Sequence, residues 1–223
     1  MKRITLFLFT LVTALLVAAC GGQQSATSAP ASGEKAAAAA GAAARTDGKK
    51  ILVAFYSRTG ENFAVGNIAK GNTHIVADMI AEMTGADTFE IKTVQTYPAD
   101  YRETTEVAKK EQEQNARPEL ATQVPNMADY DVVFLGYPIW WSDLPMPVYT
   151  FLESYDWNGK TIVPFVTSAG DVLTGKERDI PNHAKGAKML DGIGFEGKRV
   201  QENPESVRPE VEKWLTDLGF IGT

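Results

Sequence analysis

Ile51-Leu52-Val53-Ala54-Phe55-Tyr56-Ser57-Arg58-Thr59-Gly60 opens the stretch that decides the architecture, and Gly71-Asn72-Thr73 closes it. The run Ile51 to Tyr56 is apolar, too short for a typical helix and bounded by polar residues. That is the profile of a strand buried on both faces of a parallel sheet. It breaks into Ser57-Arg58-Thr59-Gly60, and an amphipathic helix follows from about Thr73 to Thr84. Strand, hydroxyl-and-glycine loop and helix together can hold a phosphate monoester: hydroxyls donate, backbone N–H groups point inward and the helix start adds partial positive charge.

Working toward the C-terminus, strands and helices alternate. Ile75, Val76, Met79, Ile80 and Met83 form a stripe at helical spacing, stopped by Gly85. Ala86 to Ile91 alternates, with Phe89 and Ile91 on one side, as an edge strand would. Pro98 to Gln114 predicts a polar helix over the sheet edge, and Arg117 to Asp129 a loop. Asp131 to Gly136 is the clearest central strand, followed by a helix from about Pro145. Thr161 to Thr167 is another strand, in which Pro164 predicts a bulge or weakened pairing. Lys176 to Lys185 predicts a short helix, and Ala187 to Val200 contains a last strand. A closing helix is expected from an Asn203 cap and Pro204, with Val207, Val211, Trp214, Leu215 and Leu218 on one face and Gly219 after its end. Repeated alternation means an α/β domain, a parallel sheet with helices on both faces.

Working toward the N-terminus, the chain changes character. Lys2 and Arg3, the apolar Ile4 to Val17, and Val17-Ala18-Ala19-Cys20 resemble the signal peptide and lipobox of bacterial lipoproteins. The resemblance implies cleavage before Cys20 and its lipidation. Cys20 is the one cysteine in the chain, which excludes an internal disulfide and a cysteine zinc site. Residues 21–49 are low-complexity, interrupted by Pro30, Gly33 and Gly41, and read as a flexible tether with a root-mean-square reach of roughly 30 Å. The domain then spans residues 50–223. From Ile51 onward 16 Lys and Arg face 26 Asp and Glu, a net −10. Such a surface argues against nucleic-acid binding.

In an open α/β sheet, ligands bind beyond the carboxyl ends of the strands. Three of those ends are distinctive here: Ser57-Arg58-Thr59-Gly60, Tyr137-Pro138-Ile139-Trp140-Trp141, and Thr167-Ser168-Ala169-Gly170-Asp171. They offer phosphate donors, aromatic faces and small residues that let backbone approach a ligand. Together they ask for a planar aromatic ligand carrying a phosphate.

With these three loops the chain resembles the flavodoxin-like family from Lys50 to Gly219. The resemblance implies a doubly wound five-stranded parallel sheet of order 2-1-3-4-5 and an FMN cofactor. It implies that Ser57, Thr59 and Gly60 contribute to the phosphate loop, that Tyr137, Pro138, Ile139, Trp140 and Trp141 lie against the isoalloxazine ring, and that Ser168, Ala169 and Gly170 line its other edge. Arg58 either neutralises the phosphate or faces solvent. One of Trp140 and Trp141 is expected buried and the other free to stack. Asp143 and Asp171 flank the ring site, either lowering the flavin potential or solvating the loops. His74 and His183 have no partner in view and are expected on the surface.

One departure stands out. The family's glycine usually runs directly into Asn and Thr, whereas here Glu61 to Lys70 intervenes. Asn72 and Thr73 complete the loop if the insert bulges outward over the site, where it would cover the phosphate or meet a partner; otherwise the helix start is displaced and phosphate binding is lost. The expected function is an FMN-binding electron-transfer flavoprotein, anchored extracytoplasmically to a bacterial membrane, that meets a redox partner protein or a quinone-like acceptor. The alternatives are an NAD(P)H:quinone-type reductase and a non-redox binding module on the same fold. Lys2-Arg3 is not a twin-arginine signal, so the chain is expected to cross unfolded and to acquire FMN outside the cytoplasm.

Overall fold

The computed structural model describes residues 48–170 and 173–222. Cys20, the tether and Asp171 lie outside the described residues. The elements in order are β1 (Ile51–Phe55), β2 (Gly60–Asn62), β3 (Gly66–Ile68), α1 (Asn72–Thr84), β4 (Asp87–Glu90), α2 (Tyr101–Glu113) and β5 (Val132–Pro138). They continue as α3 (Met146–Glu153), β6 (Thr161–Ser168), α4 (Ile180–His183), β7 (Lys188–Met189), β8 (Ile193–Glu196), α5 (Gly197–Glu202) and α6 (Arg208–Asp217).

The main sheet runs β4-β1-β5-β6-β7, with β8 also paired to β6. Every pairing in it is parallel. This is the doubly wound order 2-1-3-4-5, with the fifth strand in two pieces. Pro164 explains the split. The Ile162 carbonyl accepts from Leu190 on the edge side, so two-residue alternation turns Pro164's missing N–H to the same side. Pairing of β6 with the edge stops at Ile162↔Met189 and resumes, shifted by one residue, at Phe165↔Ile193. Pairing with β5 continues unbroken through Leu135↔Pro164. The expected bulge is therefore on the edge side alone.

Strand alternation builds two cores. Leu52, Ala54, Val133, Leu135, Ile162 and Val166 pack on the face covered by Val148, Phe151 and Leu152 of α3. Ile51, Val53, Phe55, Val132, Phe134, Val163 and Phe165 pack on the other, under Val76, Met79 and Ile80 of α1 and Val211, Trp214 and Leu215 of α6. Burying each such side chain contributes about 1.5–3 kcal/mol, so the two faces specify the register. Gly136 lies opposite Phe165, whose ring fills the place a Cβ would take.

Three elements differ from the reading of the sequence. The closing helix α6 begins at Arg208; Pro204–Ser206 forms a separate 3-10 turn, and Asn203 makes no side-chain cap. The last strand lies within Ala187 to Val200 as expected, in two pieces, and Gly197–Glu202 after it is a helix that the sequence reading did not assign. The insert Glu61 to Lys70 folds into an antiparallel hairpin, with Gly60↔Ile68 and Asn62↔Gly66 paired. The hairpin bulges out and leaves the start of α1 in place, as the backbone N–H of His74 donates to Ser57 Oγ at 3.1 Å.

The start of α1 is also tied to the end of β6. Thr73 Oγ1 and Thr167 Oγ1 are 2.8 Å apart in a buried position. Removing one hydroxyl leaves the other buried and unpaired, so Thr167→Val should destabilise the fold by about 1–3 kcal/mol. The double variant Thr73→Val with Thr167→Val should recover part of that loss. Urea unfolding of the wild type, both single variants and the double variant checks this; additive losses would count against the pair.

Candidate functional site

A cavity of about 400 Å³ opens at the carboxyl ends of β1, β5 and β6, within the range of cofactor-sized sites. Arg58 and Asn72 line it from the first loop, Pro138, Ile139, Trp140 and Trp141 from the end of β5, and Thr167, Ser168 and Ala169 from the end of β6. The topology thus brings all three distinctive loops to one place. Ser57, Thr59, Gly60, Thr73, Tyr137 and Gly170 are not among its lining residues. Thr59 is exposed, and Gly60, with φ +82°, turns against Ala99.

The first loop is shaped by close approach. A Cβ at Gly71 would clash with Ser57 Oγ and lie 2.6 Å from the Arg58 carbonyl, so only glycine fits. Gly71 caps α1 without any side-chain bond, leaving first-turn N–H groups unpaired within the helix. Arg58 neither faces solvent nor presents its terminal nitrogens to the cavity. They donate to the carbonyls of Glu61, Pro98, Ala99 and Asp100. Burial pulls its guanidinium pKa down, opposed by nearby Tyr56, Glu61, Asp100 and Tyr101. Arg58 therefore staples the hairpin to the segment before α2. The Glu61 N–H, donating to the Ala99 carbonyl at 3.0 Å, reinforces that joint. So does Glu61 Oε2, which accepts from the N–H of Tyr101 at 3.1 Å.

Two buried polar atoms on cavity-lining residues have no hydrogen-bond partner among the described residues: Arg58 Nε, a donor, and Asn72 Oδ1, an acceptor. Buried polar groups left unpaired are costly. The complementary pair is an anionic oxygen for the donor and a hydroxyl for the acceptor, and a phosphorylated polyol such as the ribityl phosphate of FMN carries both. The residues present fit that group.

The two tryptophans divide as strand-end neighbours do. Trp140 is half-buried, edge-on to Tyr56 at 5.4 Å and Tyr97 at 5.2 Å. Tyr97 in turn donates to Glu111 at 2.6 Å, a carboxyl whose pKa burial raises. Trp141 is 51% exposed. Its Nε1–H donates to the Thr105 carbonyl at 3.0 Å, and the Lys109 ammonium lies 5.3 Å from its ring centroid. Trp140 and Asp143 close a two-residue turn by exchanging backbone hydrogen bonds of 2.9 and 3.0 Å. Its central residues, Trp141 and Ser142, have φ of 51° and 60°. Holding two non-glycine residues there costs about 1–2 kcal/mol each, strain of the kind that clusters at functional sites.

Tyr137 points into the core, fully buried, and burial pushes its phenol pKa far up. Asp143 is turned from the cavity, accepting from Tyr149 at 2.7 Å and from its neighbour Leu144 at 2.8 Å. The histidines do have partners. His74 packs on Phe55 at 4.6 Å, and His183 lies 2.8 Å from Glu153. The insert reaches over the site through Asn62 and Phe63, whereas sequence reasoning missed the wall made by Tyr101, Thr104, Thr105 and Ala108 from α2, and Gly197. The helical spacing of Tyr101, Thr104, Thr105 and Ala108 was the available signal, although it carries no large apolar stripe.

A family model described as Flavodoxin matches residues 50–217. No curated protein sequence matches the chain. A candidate flavoprotein from Bacteroides uniformis is 28% identical, with a TM-score of 0.61 over 76% of this chain and 99% of that one. A candidate flavoprotein from Bacteroides eggerthii is 27% identical, with a TM-score of 0.60 over 76% and 97%. The Lactobacillus acidophilus flavoprotein, solved in complex with FMN, shares the fold at 24% identity, with a TM-score of 0.52 over 69% and 97%. The match over residues 50–217, on the strand order and cavity described above, means that this chain belongs to the flavodoxin family.

Proposed function

We propose that this protein is an FMN-binding electron-transfer flavoprotein, held by a lipid on Cys20 at the outer face of a bacterial membrane. The observation that carries the cofactor is the pair of orphaned polar atoms, Arg58 Nε and Asn72 Oδ1, in a cavity that the β1, β5 and β6 loops share. Arg58, Asn72 and the start of α1 hold the ribityl phosphate. Pro138 to Trp141 and Ser168 to Ala169 flank the ring. FMN, when bound, supplies the redox chemistry; the protein supplies binding, orientation and electrostatics.

The chain's own residues perform three tasks in this reading. The helix start and neutral donors take most of the phosphate charge, because the terminal nitrogens of Arg58 are committed to four carbonyls. Trp140, held edge-on by Tyr56 and Tyr97, gives a fixed apolar wall. The hairpin and α2 cover the cavity and exclude water from part of it. The acidic surface suits a partner with basic patches and, in electrostatic steering, a salt-dependent encounter. Among the described residues, no group of acidic, His or Cys side chains could hold a metal ion, and no helix is long and apolar enough to cross a membrane.

The purified domain should be yellow, with flavin close to one equivalent. A colourless protein that takes up no FMN at micromolar concentration would overturn the reading. Asn72→Asp places a carboxylate where the phosphate binds, so its FMN affinity should fall at least about tenfold. Riboflavin, which lacks the phosphate, should lose far less; equal losses for the two ligands would remove Asn72 from the phosphate end. Expressed in a bacterium, the full chain should fractionate with membranes and Cys20→Ser should not. A wild type recovered entirely in soluble fractions would rule out the anchor.

A further inference from the structure

Behind the wall that Trp140 gives the cavity lies a cluster that cofactor binding leaves unused. Tyr56 and Tyr97 stand edge-on to the Trp140 ring, with centroids at 5.4 and 5.2 Å, and lie 6.2 Å from each other. The Tyr97 hydroxyl donates to Glu111 Oε2 at 2.6 Å. Of these four residues only Trp140 lines the cavity. The rings thus lead from the cavity wall to a phenol whose proton is already shared with a carboxyl group.

The placement is held from both sides. Pro98, next to Tyr97, offers its carbonyl to Arg58 at 2.7 Å and to Thr104 Oγ1 at 2.8 Å. Glu111 stands in the last turn of α2. Burial pushes the Tyr97 phenol pKa far up, helped by Tyr56 and by the bond to Glu111, so the phenol does not ionise on its own. Burial also raises the Glu111 carboxyl, opposed by the Tyr97 hydrogen bond. Its ionised form is therefore a stronger base than an exposed carboxylate. A phenol releases an electron readily only if its proton leaves too, because its radical cation is a very strong acid. A carboxylate within hydrogen-bond reach provides for that.

We propose that Trp140, Tyr97 and Glu111 form a proton-coupled relay that draws an oxidising equivalent out of the cavity. A one-electron oxidant there, of the class of a photoexcited flavin, takes one electron from Trp140 and is reduced by it. Tyr97 returns an electron to the Trp140 ring, and its hydroxyl proton passes along the hydrogen bond to the Glu111 carboxylate. The products are intact Trp140, a neutral Tyr97 phenoxyl radical and protonated Glu111. A soluble one-electron reductant such as ascorbate then refills Tyr97, which is half-buried rather than sealed in the core, and the proton returns from Glu111. The wall of the site is spared covalent oxidation. Tyr56 lies about as near to Trp140, but among the described residues no carboxylate is hydrogen-bonded to its hydroxyl, so the radical belongs on Tyr97. The inference rests on the FMN reading for its oxidant alone; the relay belongs to the chain.

The test illuminates the full chain, loaded with FMN, with blue flashes at mildly alkaline pH to keep Glu111 ionised, and follows radicals by transient electron paramagnetic resonance. The wild type should give a neutral tyrosyl radical. In Tyr97→Phe a tryptophan radical should replace it, and Tyr56→Phe should leave it in place. Glu111→Gln keeps an acceptor for the Tyr97 hydroxyl but cannot take its proton, so tyrosyl formation should slow at least about a hundredfold. A cluster that served packing alone would show no such loss. Absence of a tyrosyl radical in the wild type, its persistence in Tyr97→Phe, its loss in Tyr56→Phe or an unchanged rate in Glu111→Gln overturns the proposal. If the chain takes up no FMN, the cofactor reading falls by itself. Photogenerated ruthenium(III) tris(bipyridine) then serves as oxidant on the unloaded chain. A tyrosyl signal reduced in both Tyr97→Phe and Glu111→Gln would still support the relay, and equal signals in all three chains would refute it.

Discussion

A sheet covered on both faces has nowhere to meet a ligand except at the ends of its strands. In β1, β5 and β6 the side chains alternate into two apolar cores, so neither face has room for polar chemistry. That constraint pushes every functional group into the loops at the carboxyl ends. It also explains why those loops are anchored as they are. The Thr73–Thr167 bond fastens the start of α1 to the end of β6, and Gly71 lets the first loop fold tightly over Ser57. The cavity is a by-product of the cores beneath it, held open by a few polar bonds.

Among those bonds, Arg58 has the most unusual task. An arginine beside a phosphate loop invites the reading of a counter-charge. Here Nη1 donates to the Glu61 carbonyl and Nη2 is shared among the carbonyls of Pro98, Ala99 and Asp100, so most of the guanidinium is committed and Nε has no partner among the described residues. Carbonyl dipoles and the nearby carboxylates of Glu61 and Asp100 offset the cost of half-burying the cation. In the proposed FMN site the phosphate is then left chiefly to neutral donors and the helix start, as anions commonly are at such sites. The charge is spent on architecture, and the architecture gained is the hairpin wall.

Much of this was legible in the residues. The central strands announced themselves as short apolar runs because both of their faces are buried. Phe89 and Ile91 marked an edge, and Pro164 foretold an irregularity that fell where its missing N–H points. Tyr137 could have been placed as well, since two-residue alternation from Val133 and Leu135 sends it into the core. The hairpin was not legible. Its turn runs Phe63-Ala64-Val65 without Asn-Gly or Asp-Gly, and it forces Ala64 to positive φ, a conformation local preference does not suggest. The start of α6 was obscured by two prolines, Pro204 and Pro209, each suited to a first turn. The α2 wall was hidden because threonines and an alanine on a charged helix look like any solvated face.

That wall decides how wide the cavity is. Only Thr104 and Ala108 of α2 are buried, so packing contributes little to fixing the helix against the sheet. Polar contacts near each end do so instead. At the N-terminal end Glu61 accepts from Tyr101, with Arg58 gripping the segment just before it. Further along, Thr105 accepts from Trp141, Tyr97 donates to Glu111, and Gln112 donates to the Trp141 carbonyl. Each such bond contributes on the order of 1 kcal/mol, far less than a buried aromatic side chain. Of the two rims of the cavity, the Phe63–Tyr101 pair and the strained Trp141 turn, α2 carries only Tyr101; Phe63 stands on the hairpin, and the Trp141 turn follows β5 and is held to α2 through Thr105 and Gln112. A shift of α2 would move Tyr101 against Phe63 and load the bonds to the Trp141 turn while leaving both cores untouched, so the width of the cavity depends on a few polar bonds rather than on packing.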